Sequence, residues 1–239
     1  MTKTLTDKTV LVTGASRGIG KALVTEALGR GAQRVYAGTR RPMAQTDERV
    51  IPLTLDITDR AQIEAAAHVV DALDVLVNNA GVFVPSALSE RHALEEHLAV
   101  NLFGTYDVID SFLPLLVRSK GAIVNNVSIG ALAPVPMAPA YMISKAAAFN
   151  LTQSLRALLA GQGVSVHAVL TGPVDTDMMR GFDIPKTSPG SVAQAIFDGL
   201  ANGEEEIFPD PMSQTLADGW RKGVVKALER QNASFVDAA

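Results

Sequence analysis

Short runs of β-branched and aliphatic residues alternate along the chain with longer segments whose apolar residues recur at helical spacing. The runs that predict strands are 9–14, 34–39, 50–56, 74–81, 121–128, 164–172 and 206–209. The first six are apolar almost throughout, which is typical of strands buried on both faces of a sheet. The segments that predict helices are 18–30, 59–71, a long one within 89–118, 140–161, 189–202 and one terminal helix after residue 209.

Regular alternation of strands and helices predicts an α/β fold of the Rossmann type. We expect a doubly wound parallel sheet of about seven strands in the order 3-2-1-4-5-6-7, with right-handed crossovers and helices on both faces. The proline-rich stretch 132–140 lies between a strand and a helix, so we interpret it as a stiff loop. The whole chain, residues 1–239, is expected to form one domain that ends in a C-terminal helix and tail from about residue 210.

Composition and charge narrow the classes of partner. Hydrophobic residues make up 47% and charged residues 19%, which predicts an ordered chain. The net charge is −4 and no dense run of Lys or Arg occurs, so the sequence shows no footprint for nucleic acid. We therefore expect a small-molecule partner.

The cysteine count, the histidine positions and the hydropathy pattern exclude further kinds of site and segment. There are no cysteines, which removes disulfides and thiolate metal sites, and the four histidines are not clustered with carboxylates, so no metal site is predicted. No uninterrupted apolar run approaches the roughly 20 residues of a membrane span, and no signal-type segment opens the chain. We expect a cytoplasmic protein.

A glycine-rich turn, "TGASRGIG" at 13–20, follows the first strand and opens the first helix. Gly14 permits a sharp turn, Gly18 allows a pyrophosphate to approach the main chain, and Gly20 allows the helix to lie close to the sheet. The positive end of the helix faces the same place, so the segment is a candidate dinucleotide site. Because the glycine spacing is a variant of the usual one, a plain strand-to-helix turn is the alternative interpretation.

Basic residues end the second strand, where dinucleotide-binding folds often carry the acid that holds a ribose 2′-hydroxyl. Arg40 and Arg41 stand there, and Arg17 in the glycine turn is expected to face the same group. Guanidinium groups match a 2′-phosphate, so the sequence favours NADP(H) over NAD(H). Arg41, which precedes a proline, is equally consistent with a solvated loop charge, and Asp56 with either an adenine contact or the cap of a turn or helix.

A tyrosine and a lysine, Tyr141 and Lys145, lie four positions apart in a predicted helix and therefore share one face. A fixed ammonium beside a phenol favours the phenolate, so we predict that Lys145 lowers the pKa of Tyr141. Ser128 ends the fifth strand at the carboxyl edge of the sheet, where ligand crevices form in open α/β folds. Its hydroxyl is a candidate for holding a substrate carbonyl; a serine that merely ends a strand is the alternative.

These motifs occur together and in order with "NNAG" at 78–81 and "VNLFG" at 100–104. Over roughly residues 6–209 the chain resembles the short-chain dehydrogenase/reductase family. The resemblance implies that Tyr141 is the general acid or base, that Ser128 orients the reacting oxygen and that Lys145 binds the nicotinamide ribose. It further implies that the Asn101 backbone carbonyl holds a water molecule. Asn79 is expected instead to tie strands together.

The resemblance also implies a set of cofactor contacts. Besides Tyr141 and Lys145, it assigns NADP(H) contacts to Gly14, Ser16, Arg17, Gly18, Ile19, Gly20, Arg40, Asp56, Ile57, Asn78, Ala80, Gly81, Pro173, Val174 and Thr176. The long helices within 89–118 and 140–161 resemble those that pair across a two-fold axis in relatives, so a homodimer or homotetramer is expected. The stretch between the second and third strands is short for the family, so its crossover helix is expected to be reduced or replaced by a turn.

Apolar residues are expected around the reacting carbon and favour a hydrophobic ketone, aldehyde or alcohol. They are Ile129, Leu132, Val135, Met137, Met178, Met179 and Phe182. A 3-oxoacyl-carrier-protein reductase is the alternative enzyme, for which Arg180 and Lys186 are the obvious basic residues at the entrance. A non-catalytic NADP(H)-sensing or scaffold protein is the alternative outside the enzymes, although it would not need Asn101, Ser128, Tyr141 and Lys145 together.

Overall fold

A single parallel sheet organises the chain, and its strand order is β3-β2-β1-β4-β5-β6-β7, as predicted. The computed structural model describes residues 5–41 and 47–236. The strands are β1 Thr9–Thr13, β2 Arg34–Thr39, β3 Val50–Thr54, β4 Val75–Asn78, β5 Ala122–Asn126, β6 Ser165–Val169 and β7 Glu206–Ile207. Each is shorter than or equal to the apolar run that predicted it, because several runs continue past the last ladder hydrogen bond into the loops at the carboxyl edge.

The helices cover both faces of this sheet. They are α1 Gly18–Gly29, α2 Arg60–Val69, α3 Arg91–Leu98, α4 Thr105–Ser119, α5 Pro139–Ala160, α6 Pro189–Asn202, α7 Pro211–Arg221 and α8 Val224–Ala233. A π-helical turn, Ala99–Gly104, joins α3 to α4 without a break. The prediction of one terminal helix was wrong, because Lys222 ends α7 and Gly223 adopts extended geometry before α8 begins.

Successive side chains of each strand enter different hydrophobic layers, as the two-residue period of a strand requires. Val10 and Val12 belong to the layer formed with α1 and α6, whereas Leu11 belongs to the layer formed with α2 and α4. Phe112 of α4 is fully buried in the second layer. Both faces are therefore covered, which accounts for strands that are apolar throughout.

The long helical segment Arg91–Ser119 is, by length and composition, long and apolar enough to cross a membrane. Its buried residues Val108, Ile109 and Leu116 pack instead against the sheet and α2. We therefore interpret it as a core helix of the α/β fold.

Both margins of the sheet carry residues that resist further pairing. The strand β3 contains Pro52, which has no N–H to donate. The strand β7 has two residues, and the buried Glu206 side chain lies 2.9 Å from the equally buried ammonium of Lys226 in α8. Arg156 of α5 pairs with Glu206 at 2.8 Å and also with Glu229, so a buried ionic cluster connects α8 to the sheet edge and to α5.

The connection from β2 to β3 carries no helix within the residues that the structure describes. Residues 47–49 form a turn before β3. The remaining stretch of the expected reduced crossover, residues 42–46, lies outside the described part of the chain.

Candidate active site

The glycine turn packs so tightly that side chains are excluded from it. Gly14 has a φ of +66°, and a Cβ there would lie 2.9 Å from the Ala80 Cα. A Cβ on Gly20 would lie 2.1 Å from the Gly14 carbonyl oxygen. These contacts explain two of the predicted glycine roles: the turn reaches the loop after β4, and α1 approaches the end of β1.

The N-terminal end of α1 is open for an anion. Its first residues follow Arg17, and within the described residues no side chain caps this end of the helix. The side chains nearby are those of Ser16, which is exposed, and Ile19, which is half-buried against the core. Unpaired N–H groups at a positive helix end are the physical requirement for binding phosphate.

Arg17 reaches across this end of the sheet. Its guanidinium pairs with the Asp177 carboxylate at 2.8 Å, so it bridges the glycine turn and the segment after β6. Asp177 also pairs with Arg180. The sequence predicted that Arg17 faces a 2′-phosphate beside Arg40; in the structure its partner is Asp177.

Arg40 and Arg41 follow β2 and are exposed, with no ion pair among residues 5–41 and 47–236. Asp56 lies near Arg40 and accepts hydrogen bonds from the Thr58 N–H at 3.0 Å and the Thr58 hydroxyl at 2.7 Å. The backbone hydrogen bond from Thr58 lowers the pKa of the Asp56 carboxyl, and the positive charge of Arg40 contributes further. Asp56 therefore caps a turn, while Asp59 caps α2.

The segment after β4 is tied to the end of β1. The Thr13 hydroxyl accepts from the N–H groups of Asn79 and Ala80, both at 3.0 Å. The Asn79 amide donates to the Thr13 carbonyl at 3.0 Å and accepts from Asn126 at 3.1 Å. The prediction that Asn79 ties strands together is confirmed, and the neighbouring Gly81 comes to lie near the Lys145 ammonium.

Asn78 and Ile57 occupy the floor of the same region. The Asn78 side-chain amide donates to the Asn125 side chain at 2.9 Å, and the buried side-chain oxygen of Asn78 has no hydrogen-bond partner within the described residues. Ile57 is buried and packs closely on Gly104, where a Cβ would lie 2.7 Å from the Ile57 carbonyl oxygen. The π-helical turn is thereby held against the loop that follows β3.

Tyr141 and Lys145 share one face of α5, and both point to the carboxyl edge of the sheet. The Lys145 ammonium lies 5.7 Å from the centre of the Tyr141 ring. Ser128, two residues after β5, lies close enough to the Tyr141 hydroxyl to act on the pKa of that phenol. The Ser128 oxygen also accepts from the Gly130 N–H at 3.0 Å, which holds the side chain in place. The structure therefore brings the three predicted side chains together.

The electrostatics of this trio differ from the prediction. Burial raises the pKa of the Tyr141 hydroxyl to about 12, with the Ser128 hydrogen bond acting in the opposite direction. Burial also lowers the pKa of Lys145 to about 8. The predicted lowering of the phenol pKa is therefore not found: burial dominates, and the Lys145 ammonium donates instead to the Asn126 carbonyl at 2.9 Å.

Asn101 lies within the π-helical turn and is buried. Its side chain accepts from the Val82 N–H at 2.9 Å and donates to the Val82 carbonyl at 3.1 Å and the Ser144 hydroxyl at 2.9 Å. Its backbone carbonyl accepts from the Thr105 hydroxyl at 3.3 Å. Asn101 thus connects the loop after β4 to α5 one residue before Lys145.

The segment after β6 closes the other side of the site. Val174 pairs with Thr187 in a short bridge, and the Pro173 carbonyl accepts from the Thr187 N–H at 3.0 Å. The Thr176 methyl stands over Gly18, 3.1 Å from where a Cβ would be. A cavity of about 480 Å³ lies between the glycine turn and the segment after β6, and its lining includes Gly18, Thr176, Arg180 and Lys186.

The predicted substrate lining divides into three groups. Ile129 and Leu132 pack against a small buried cluster that contains Phe149 and Phe208. Met179 and Phe182 are half-buried. The others are exposed: Val135, Met137 and Met178. Within the described residues, no group of three or more His, Asp or Glu side chains is placed to hold a metal ion.

Three residues of the site were missed by sequence reasoning. Asn126 accepts from Lys145 and Thr171 and donates to Asn79, so it connects three strand ends. Phe83 contacts the Tyr141 ring, and so does the buried His97. The position of His97, four residues before Asn101, was the available signal, because both side chains must then share a helix face.

Comparison with known proteins agrees with this geometry. A family model described as short chain dehydrogenase matches residues 8–185. An uncharacterized oxidoreductase of Staphylococcus aureus (strain MW2) is 30% identical over 214 residues, covering 82% of this chain and 92% of that protein. The chain belongs to the short-chain dehydrogenase/reductase family.

Two solved structures of similar proteins carry a nicotinamide cofactor. A short chain dehydrogenase from Burkholderia cenocepacia in complex with NADP has a TM-score of 0.88 and 35% identity, covering 96% of this chain and 98% of that one. An NADPH-bound carbonyl reductase from chicken fatty liver has a TM-score of 0.79 and 25% identity, covering 87% and 96% of the two chains.

Proposed function

We propose that this protein is an NADP(H)-dependent oxidoreductase that reduces a hydrophobic ketone or aldehyde to an alcohol, in a reversible reaction. The observation that carries the proposal is the trio of Ser128, Tyr141 and Lys145, which meets at the carboxyl edge of the sheet beside the open end of α1. The phenol and the serine hydroxyl lie close together, and each can donate its one O–H to a carbonyl oxygen placed between them. This is the arrangement that a proton transfer to that oxygen requires.

The residues around the glycine turn fit NADP(H). The uncapped N–H groups of α1 would hold the diphosphate, and the exposed guanidinium of Arg40 would bind the 2′-phosphate. Gly14 and Gly20 admit no Cβ, because the turn packs against Ala80 and the start of α1 packs against the turn. The structures of relatives with bound NADP or NADPH support this assignment.

The protein side of the reaction follows from the positions of three groups. NADPH, when bound, would supply the hydride for the carbonyl carbon. Ser128 would orient the carbonyl oxygen, and Tyr141 would donate its proton to that oxygen as the negative charge develops. Lys145, which donates to the Asn126 carbonyl, would bring its positive charge to the phenol and would bind the nicotinamide ribose. Because burial raises the pKa of Tyr141 to about 12, the phenol carries at neutral pH the proton that it would donate in reduction.

A substitution at Tyr141 tests the assigned acid. NADPH consumption with a panel of aryl ketones should fall at least about 100-fold in Tyr141→Phe, the range that a general acid contributes. NADPH binding, followed by its fluorescence, should stay within a few fold of the parent. Retained turnover in this variant would exclude Tyr141 as the proton donor.

The choice of cofactor has its own test at Arg40. Arg40→Ala should raise the KM for NADPH far more than the KM for NADH, because only NADPH carries the 2′-phosphate. Arg91→Ala is the matched control, since Arg91 is exposed and pairs with Glu95 on α3. Equal increases in the KM for NADPH and the KM for NADH would refute the proposed contact between Arg40 and the 2′-phosphate.

The assembly and location belong to the same proposal. We propose that residues 1–239 act as one unit, in the cytoplasm, as a homodimer or homotetramer. Exposed apolar side chains on the long helices support pairing, namely Phe103, Tyr106 and Ile143. Light scattering that shows only monomer would refute it. A carrier-protein substrate is less favoured, because Arg180 is already paired with Asp177.

A further inference from the structure

The short segment Val82–Val84 follows Gly81 and crosses the site without regular secondary structure. Its main chain is held by side chains of the neighbouring helix. Asn101 binds both main-chain groups of Val82, and the Nε2 of His97 accepts from the Val84 N–H at 3.0 Å. These are the hydrogen bonds of this segment within the described residues, so two helical side chains determine where it lies.

His97 is suited to this task because it is fully buried and both ring nitrogens are engaged. Nδ1 lies 2.6 Å from the Ala93 carbonyl and must donate, which leaves Nε2 as the acceptor for Val84. The tautomer is therefore set by the hydrogen-bond pattern. The ring also meets the Tyr141 ring edge-on, with centroids 6.0 Å apart.

Phe83 lies between these two anchors and faces the catalytic tyrosine. Its ring meets Tyr141 at 5.2 Å and 81°, and Phe182 at 6.1 Å and 71°. Phe83 comes from the loop after β4 and Phe182 from the loop after β6, and both rings are half-buried. Phe83 therefore contacts the ring of the tyrosine that would donate a proton to the substrate, and Phe182 packs against Phe83.

We propose that Phe83 selects substrates with an aromatic ring next to the carbonyl, and that His97 is the positioning residue that holds Phe83 in place. The proposal rests on the proposed reductase function and deepens it by naming the substrate class as aryl ketones. A flat aryl group beside a carbonyl held at Tyr141 and Ser128 packs against the Phe83 ring, and aromatic pairs prefer such edge-to-face or offset contacts. A saturated ring of the same size gains only the apolar contact.

The direct test compares acetophenone with cyclohexyl methyl ketone, which differ mainly in the planarity of the ring. The ratio of the two kcat/KM values should fall about 3- to 10-fold in Phe83→Leu, because the aromatic contact is lost while apolar surface remains. Phe235→Leu is the control, since Phe235 is exposed near the C-terminal end of α8. An unchanged ratio in Phe83→Leu would overturn the assignment.

The role of His97 has a signature that a merely structural residue lacks. His97→Leu should lower the same ratio, and His97→Gln should restore most of it, because a glutamine oxygen reaches the position of Nε2 and accepts from Val84. The double variant with Phe83→Leu should show the ratio of Phe83→Leu alone, since His97 acts through Phe83. Additive losses, or no rescue by glutamine in a variant that unfolds like the parent, would refute the positioning role.

Binding measured without turnover separates this inference from the reductase proposal. Ligand-observed NMR of the isolated protein should show acetophenone bound more tightly than cyclohexyl methyl ketone, with the difference lost in Phe83→Leu. That result with no turnover of either ketone would refute the reductase and leave the aryl site standing. Turnover of both ketones with equal binding of the two would support the reductase and refute the aryl site.

Discussion

Lys145 is a buried cation, and its removal should change how the stability of the ligand-free protein depends on pH. The residue is 6% exposed, and its ammonium donates to the Asn126 carbonyl without an ion pair in the described part of the chain. Burial lowers its pKa to about 8 in the folded protein. In the unfolded chain a lysine titrates near 10.4. Lys145→Met removes this difference while keeping the apolar volume of the side chain.

The sign follows from proton binding by the two states. Between about pH 8 and 10 the unfolded lysine keeps its proton while the folded one releases it, so stability rises with pH. From pH 7 to pH 9.5 the gain is about 2 kcal/mol, at about 1.36 kcal/mol for each unit of difference. Tyr141 acts oppositely above about pH 10, because its folded pKa of about 12 lies above that of the unfolded chain.

Urea unfolding at fixed protein concentration between pH 7 and pH 9.5 measures this difference. The parent should gain about 2 kcal/mol relative to Lys145→Met over that interval, and the variant should be at least as stable as the parent at pH 7. Lys222→Met is the control, because Lys222 is exposed. Parallel curves for parent and Lys145→Met would show that the ammonium is not desolvated, and the reasoning would fail.

Two further substitutions test the packing around the site and the sheet edge. Gly20→Ala should abolish NADPH binding and lower the free energy of unfolding by about 1–3 kcal/mol, because its Cβ would meet the Gly14 carbonyl oxygen. Gly29→Ala is the control and should do neither, since a Cβ at Gly29 would meet no atom within 4 Å. Tight NADPH binding by Gly20→Ala, measured by fluorescence, would contradict this prediction. Lys226→Met should lower the free energy of unfolding in urea by about 1–3 kcal/mol, because the buried Glu206 then keeps only Arg156 of its two cationic partners, beside the Glu229 carboxylate. An unchanged stability would show that the Lys226 ammonium does not stabilise these carboxylates.

The strands of the sheet were predictable because the information is local, and their order followed from the topology of doubly wound folds. Runs such as 9–14 and 121–128 have no polar face, which only a strand covered on both sides requires. The meeting of Ser128, Tyr141 and Lys145 followed from two rules, the helical spacing of four and the common edge at which parallel strands end. Neither rule needs long-range detail.

The electrostatics and the support of the site were not predictable in the same way. The pKa of Tyr141 depends on how deeply the residue is buried in the folded protein, and the Lys145 ammonium donates to Asn126, which belongs to another element. The role of His97 depends on a loop that the helix meets only in the folded protein. The second terminal helix was missed because apolar spacing continues through Gly223, and only its extended backbone separates α7 from α8.

The two margins of the sheet have a consequence for behaviour at high concentration. An outer strand with unpaired N–H and C=O groups is a template for another chain, and it invites aggregation. Pro52 in the outer strand β3 has no N–H to donate to another strand. The other outer strand, β7, has only two residues, and its Glu206 pairs with Lys226 of α8, so few main-chain groups are available for pairing there. Crowded solutions of the folded protein should therefore resist strand-by-strand growth into fibrils.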